Sequence, residues 1–417
     1  MTPRLLVIMG SGETAPTMVK PHRFLFERLG PDPVPAVLLD TPYGFQMNAD
    51  DISARAVEYF TASVGRRVEV AELRRTESAD LVRRETSIAK IASARWVFAG
   101  PGSPTYALEQ WARTDVPDLL ADKLAHGGCV VFASAAALTL GRFTVPVYEI
   151  YKVGADPVWA DGLDLIAPVL GPDVAVIPHY DNAEGGNHDT RFCYLGERRL
   201  SVLEQQLPGG GWVLGVDEHT ALILDVDAGS STVAGNGTVT VRRRGQSAVL
   251  AAGDSVPIGS LASLASGKRP GGAPPQPEAG ASAVAPRTAL HGEIRRLEIE
   301  FDGAIAARDV ATAVGAILEL DETLAAWAGD TTQSDAGERG RAALRRMVVR
   351  LGSLAETGAR DPREVVGVYV EGLIAERESA REARRFADAD RIRDLLVAAG
   401  VEVRDTPEGT VWDLRSG

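Results

Sequence analysis

Three residue types in this chain, each placed at the end of an apolar run, could together perform acyl transfer. The first is Ser134, which closes Cys129-Val-Val-Phe-Ala and is followed by Ala135-Ala-Ala-Leu138. A tight strand-to-helix turn of this layout lifts a hydroxyl clear of a sheet and needs small residues where helix and strand approach, as a nucleophile elbow does. The same spacing also suits a serine that caps a helix. The second is His179, in Val176-Ile-Pro-His179-Tyr180-Asp181-Asn182, just past a strand end where a general base would sit. The third is Glu218, in Gly215-Val-Asp217-Glu218-His219-Thr220, which could orient the histidine and fix its tautomer. Glu149, in Pro146-Val-Tyr-Glu149-Ile-Tyr-Lys152, is the alternative acid. Gly100-Pro-Gly102-Ser103 could aim backbone N–H groups at an oxyanion together with the Ala135 amide, or could be an ordinary loop.

Other chemistries compete for the same residues. Gly10-Ser-Gly12-Glu-Thr-Ala15 matches a dinucleotide fingerprint in form, with Asp40 as ribose partner, but that acid comes later than the usual spacing. A glycine turn at a strand end explains the segment equally well. His179, Asp181, Glu184, His188 and Asp189 are dense in metal-ligand types, yet no helical His spacing holds them on one face. Turn carboxylates with Arg191 as ion-pair partner are the plainer account. No metal and no cofactor is therefore expected. Cys129 lies inside the strand run and reads as core.

The elements that must position these groups alternate along the chain. Leu5 to Met9, Val37 to Asp40, Arg67 to Ala71, Trp96 to Ala99, Cys129 to Ala133, Val174 to Pro178 and Trp212 to Val216 are short apolar runs between helical patterns. That order predicts an α/β fold with a mostly parallel sheet flanked by helices. Thr220 to Val226, Ser231 to Ala234 and Thr238 to Arg242, punctuated by Gly and Asn, predict antiparallel closing strands. The 417 residues exceed the roughly 250 to 300 at which one core stops growing, so more than one domain is expected. The boundaries fall at 1–255 for the first domain, 256–287 for a Gly/Pro/Ala-rich linker and 288–417 for a helical domain. A net charge of −13 argues against non-specific nucleic-acid binding, and two cysteines argue against a disulfide scaffold. No apolar stretch is long enough for a membrane span or a signal-peptide core, so a cytoplasmic protein is expected.

The serine elbow, the Pro-His-Tyr segment, Gly-Val-Asp-Glu-His-Thr-Ala-Leu and the closing Ala-Gly-Asn-Gly-Thr-Val-Thr-Val give residues from Arg4 to about Val241 a recognisable pattern. This region resembles the peptidase E and cyanophycinase type of serine peptidase, in the class I glutamine-amidotransferase-like superfamily. The resemblance implies a Ser134 nucleophile, a His179 base, a Glu218 acid and a small peptide or amide as substrate. Two positions depart from that family's Gly-x-Ser-Ala-Gly elbow: Phe132 and Ala136 stand where it has glycine. An inactive relative that binds tRNA or a protein partner is the rival expectation.

Between Ile374 and Leu395 lie six Arg and six acidic residues, the charge pattern of a solvated helix face. Beyond them, Val401 to Val403 and Asp405-Thr-Pro-Glu-Gly409-Thr-Val-Trp412 predict a small β-hairpin. Residues 290 to 415 resemble the C-terminal helical appendage of cysteinyl-tRNA synthetase, in the Arg-rich helix pair, the Ala-Asp-x-Ile-Arg-Asp run and the Asp-Thr-Pro-Glu-Gly-Thr-x-Trp ending. That likeness implies tRNA contact, with Arg377, Arg381, Arg384, Arg385, Arg391 and Arg393 as phosphate partners and Trp412 as a stacking residue. The chain has neither a His-Ile-Gly-His nor a Lys-Met-Ser-Lys-Ser segment, so aminoacylation is not expected.

Overall fold

A computed structural model of the chain describes residues 2–76, 80–183, 188–266, 290–328, 336–358, 362–407 and 409–415. Strands β1 (Arg4–Met9), β2 (Ala36–Leu39), β3 (Glu69–Val70), β4 (Trp96–Ala99) and β5 (Gly128–Ala133) are parallel, in the order β1-β5-β4-β2-β3. Helices α1 (Val19–Leu29), α2 (Ala49–Tyr59), α3 (Leu81–Ser93), α4 (Pro104–Trp111) and α5 (Val116–His126) connect them. Both faces of this sheet are covered. Leu5, Val7 and Met9 enter a core with Leu25 and Phe26 of α1, while Leu6 and Ile8 enter the opposite core with Trp111 and Leu120. Two buried faces explain why these strands read as continuous apolar runs.

The chain continues through α6 (Ser134–Leu138), β6 (Phe143–Thr144), β7 (Ala160–Asp161), α7 (Ala167–Leu170), β8 (Val174–Ile177), α8 (Gly196–Gln206) and β9 (Trp212–Val216). It closes with β10 (Thr220–Asp225), β11 (Ser230–Gly235), β12 (Thr238–Arg243), β13 (Gln246–Ala251) and β14 (Ser255–Pro257). The expected single sheet is in fact two. β10, β11 and β14 add antiparallel to the edge at β1, giving eight strands, whereas β13-β12-β9-β8-β6-β7 form a second sheet. The turn Asp217-Glu218-His219, with His219 at φ +53°, carries the chain from β9 in one sheet to β10 in the other, and the chain also changes sheet between β5 and β6, between β11 and β12 and between β13 and β14.

The expected start of the linker at residue 256 needs correction. Val256 pairs with Ser231 in the sheet, and α9 (Leu261–Ala265) buries Leu261, Leu264 and Ala265 against the core. The i, i+3, i+4 spacing of those three makes one apolar helical face inside a stretch whose Gly and Ser content suggested a tether. Residues 267–287 of that expected linker lie outside the described residues.

Helices α10 (Leu290–Ala307), α11 (Val310–Ala326), α12 (Ala336–Gly358), α13 (Pro362–Glu382) and α14 (Phe386–Ala398) lead to the antiparallel hairpin β15 (Val401–Thr406) and β16 (Gly409–Leu414). Val370, Ile374, Leu396 and Val401 form a small core on which Trp412 and Leu414 pack. The described chain divides into two compact units, Met1–Leu297 with Leu318–Ala343, and Glu298–Ile317 with Leu344–Gly417. Among the described residues no helix is long and apolar enough to cross a membrane.

Candidate active site

Ser134 stands where β5 turns into α6. Ala133 is extended, at φ −124° and ψ 152°, and Ser134 itself is left-handed at φ +50°. A non-glycine residue there costs on the order of 1 to 3 kcal/mol and persists only where the surroundings over-determine it. The side chains at the two positions where the resemblance expects glycine are absorbed by the core. Phe132 is fully buried with its ring 5.7 Å from that of Trp111, and Ala136 is fully buried while its amide donates to Gly100 O at 3.2 Å.

His179 follows β8 and is also left-handed, at φ +49°. Its carbonyl accepts from the Asn182 and Cys193 amides, which fixes the backbone beneath the ring. Nε2 lies 2.9 Å from Ser134 Oγ, and Nδ1 lies 2.7 Å from Glu218 Oε1. With its proton on Nδ1, the imidazole donates to the carboxylate and presents a lone pair to the serine hydroxyl. Glu218 is held in turn by its own amide, which donates to Asp181 Oδ1 at 2.8 Å, and by Asn182 Nδ2, 3.4 Å from Oε1. Burial pulls the His179 pKa down, but the Glu218 hydrogen bond and charge, joined by the charges of Glu13 and Asp181, outweigh it and leave it above the ordinary 6.5. Glu218 is the mirror image. Burial pushes its carboxyl up, and the bond and charge of His179 bring it below its usual range.

Glu149, the alternative acid, is bonded to a different group: its Oε1 accepts from Thr105 Oγ1 at 2.8 Å. Gly102 and Ala135 both line the cavity beside Ser134, a space of about 420 Å³. Gly102 adopts φ +140°, and a Cβ there would lie 2.1 Å from Pro42 O, so only glycine lets this turn close. The Ala135 amide opens α6, where the first N–H groups of a helix have no intrahelical acceptor.

The competing chemistries find their residues engaged. Asp40 accepts from the Leu73 amide and from Arg74 Nε, each at 2.9 Å. Asp189 takes both Nε and Nη2 of Arg191, at 2.8 and 2.9 Å. Glu184 lies outside the described residues, and among the described ones no three His, Cys, Asp or Glu could share a metal ion. Cys129 is fully buried and burial pushes its thiol up, the setting of a packing residue. What the sequence reading did not assign to the site is Ser11 and Glu13, which also line the cavity. The signal was the pair of glycines around Ser11, which mark a close backbone approach.

In the C-terminal region the six arginines divide. Arg377 is 4% exposed and its two Nη groups each donate to Asp405 at 2.8 Å, with Arg381 reaching the same carboxylate at 2.9 Å. Arg385 and Arg391 both face Asp388, at 3.1 and 3.7 Å. Arg384 and Arg393 are exposed, and among the described residues neither has a carboxylate within ion-pair distance. Trp412 is half-buried beneath Arg363, whose guanidinium carbon sits 5.0 Å from the ring centre.

Comparison with known proteins separates the two regions. Residues 369–412 match the cysteinyl-tRNA ligase anticodon binding domain. The cysteine–tRNA ligase of Symbiobacterium thermophilum is 35% identical over 137 residues, 31% of this chain and 28% of the ligase. That of Halorhodospira halophila is 60% identical over 43 residues, 10% of this chain and 9% of the ligase. The chain thus spans less than a third of the length of these ligases. In fold, 61% of the chain superimposes on 97% of a peptidase from an acI-B1 Actinobacterium, with a TM-score of 0.50 and 20% identity. A putative peptidase E protein from Listeria monocytogenes covers 58% of this chain and 99% of its own, at TM-score 0.35 and 15% identity. The chain therefore joins an N-terminal region with a peptidase-like fold to a C-terminal stretch similar to the anticodon-binding domain of cysteinyl-tRNA ligases.

Proposed function

We propose that the N-terminal domain is a serine hydrolase, a peptidase or amidase, and that the C-terminal helical domain contacts tRNA. The reading is carried by one observation, the 2.9 Å contact between the hydroxyl of a left-handed serine and His179 Nε2. In the forward step Ser134 Oγ attacks the substrate carbonyl while its proton passes to His179 Nε2. Glu218 holds the ring and stabilises the imidazolium that forms. The amides of Gly102 and Ala135 receive the charge that develops on the carbonyl oxygen. Nε2 then returns the proton to the leaving amine, and water repeats the sequence on the acyl-serine. The substrate is a small peptide or amide, since the cavity has room for a few residues only, and a tRNA-linked acyl group is the form that would use both domains. No cofactor or metal enters this chemistry.

Turnover of a panel of aminoacyl and dipeptidyl fluorogenic amides tests it. The wild type hydrolyses at least one, and Ser134→Ala lowers that rate by about a thousandfold or more. Equal rates for the two proteins would end the proposal.

A further inference from the structure

One wall of the cavity is built on backbone that residues with side chains rarely adopt. Phe192, Cys193 and Tyr194 follow one another in the left-handed region, at φ +61°, +54° and +64°. Single residues visit that region and runs of them do not, so the surroundings must impose it, and strain of this kind collects at ligand clamps. The imposing contacts come from the segment of the catalytic base. The Phe192 amide donates to Tyr180 O at 3.0 Å and the Cys193 amide to His179 O at 3.1 Å, while the Tyr194 amide donates to Thr190 O at 2.9 Å. The turn is thus fixed to His179, and it sets Cys193 and Tyr194 in the lining of the cavity.

Tyr194 has an aromatic companion there. Tyr151, on the π-type helical turn Glu149–Val153, lines the same cavity, and the two rings lie 4.9 Å apart with 33° between their planes. Both residues are half-buried, which leaves ring surface open to a ligand. Two cations share this lining. Lys152 places Nζ 5.2 Å from the Tyr151 ring centre, a cation–π contact that keeps it on the wall, and Arg55 enters from α2. Both are exposed, and among the described residues neither has a carboxylate within ion-pair distance. Aromatic faces take a planar ring and cations take an anion; a nucleotide offers both, a base and a phosphate on one ribose.

We propose that Tyr151, Tyr194, Lys152 and Arg55 form a nucleotide subsite, in which a base stacks on the tyrosine pair and a phosphate meets the two cations, so that the acyl group attacked by Ser134 is carried as an ester on the ribose of that nucleotide. This deepens the hydrolase reading and rests on it for the reaction, not for the binding. In the reaction Ser134 Oγ bonds to the acyl carbonyl carbon, the bond from that carbon to the ribose oxygen breaks, and His179 Nε2 gives the ribose oxygen the proton it took from the serine. Water then releases the acyl group as a carboxylic acid and restores the serine. The nucleotide is the leaving group and not a cofactor.

Binding to Ser134→Ala tests the subsite by titration with adenosine 5′-monophosphate, adenosine, inorganic phosphate and the acidic dipeptide L-alanyl-L-glutamate. The nucleotide should bind about tenfold or more tighter than adenosine or phosphate alone, since charge-assisted contacts and a base stack are each worth about that factor. Adding Arg55→Ala and Lys152→Ala, both at exposed positions, should bring its affinity down to that of adenosine. Adding Tyr151→Ala instead should weaken nucleotide and nucleoside alike by about tenfold and leave inorganic phosphate unchanged. Nucleotide binding no tighter than adenosine or than phosphate, tighter binding of the acidic dipeptide, or an affinity that survives these substitutions overturns the subsite. In wild type that a fluorophosphonate labels, the 3′-L-alanyl ester of adenosine 5′-monophosphate should exceed L-alanine ethyl ester by about tenfold or more in kcat/KM, an advantage lost with Arg55→Ala and Lys152→Ala; equal values overturn the ribose ester as substrate. Failure of the labelling itself removes the hydrolase reading, while the binding series, measured without turnover, still decides the subsite.

Discussion

At the scale of single residues, the central object is the hydrogen-bonded line from Ser134 through His179 to Glu218. Because the Glu218 carboxylate holds His179 above the ordinary 6.5, the neutral base predominates only at higher pH. The rate of serine acylation should therefore rise with pH with its midpoint above that value, and Glu218→Gln should move the midpoint down while lowering the plateau by about a thousandfold. A midpoint unchanged in Glu218→Gln would disconnect the carboxylate from the base. Stability follows the opposite sense: the raised His179 pKa contributes stability that is complete below 6.5 and is lost as pH rises through its folded value. The depressed Glu218 pKa contributes stability above its ordinary 4.5, lost as pH falls through the folded value. Ser134, His179 and Glu218 were legible because each ends or follows an apolar run. Ser11 and Glu13 were not, because their place on the cavity wall depends on Asp217 and His219, distant in sequence, pressing against Gly10 and Gly12.

The elements were legible where burial is two-sided. β1, β4 and β5 are continuous apolar runs because helices cover one face and a second packed layer the other. The division into two sheets was hidden, since it lies in the connections that change sheet, such as residues 217–219 between β9 and β10, rather than in strand composition. α9 was hidden for another reason: its apolar face is only three residues long and sits amid Gly and Ser. That short helix is nonetheless part of the N-terminal fold. Leu261→Ala should destabilise the protein by about 2 to 5 kcal/mol, read as a shifted denaturant midpoint. A shift under about 0.5 kcal/mol would return residues 256–266 to the linker.

At the scale of the whole molecule, the net charge of −13 opposes tRNA at long range, so the proposed tRNA contact requires a local cationic face. The arginines that the sequence grouped together separate into different tasks. Arg377 is spent on Asp405, and Arg377→Ala should lower thermal stability, by on the order of 2 kcal/mol, more than it lowers binding. Arg384 and Arg393 face solvent, so Arg384→Glu with Arg393→Glu should weaken tRNA binding about tenfold or more in low salt without changing the melting temperature, and flatten the salt dependence. Undiminished filter binding by the double variant would remove this face from the account. The tail motif was legible because its residues are contiguous, whereas ion-pair partners 24 and 28 positions apart were not. The most direct measurement of the central claim is peptide mapping of the full chain after treatment with a fluorophosphonate. A single adduct on Ser134, absent from Ser134→Ala and from protein treated at acid pH, is the predicted result; no adduct, or an adduct on a different serine, would contradict it.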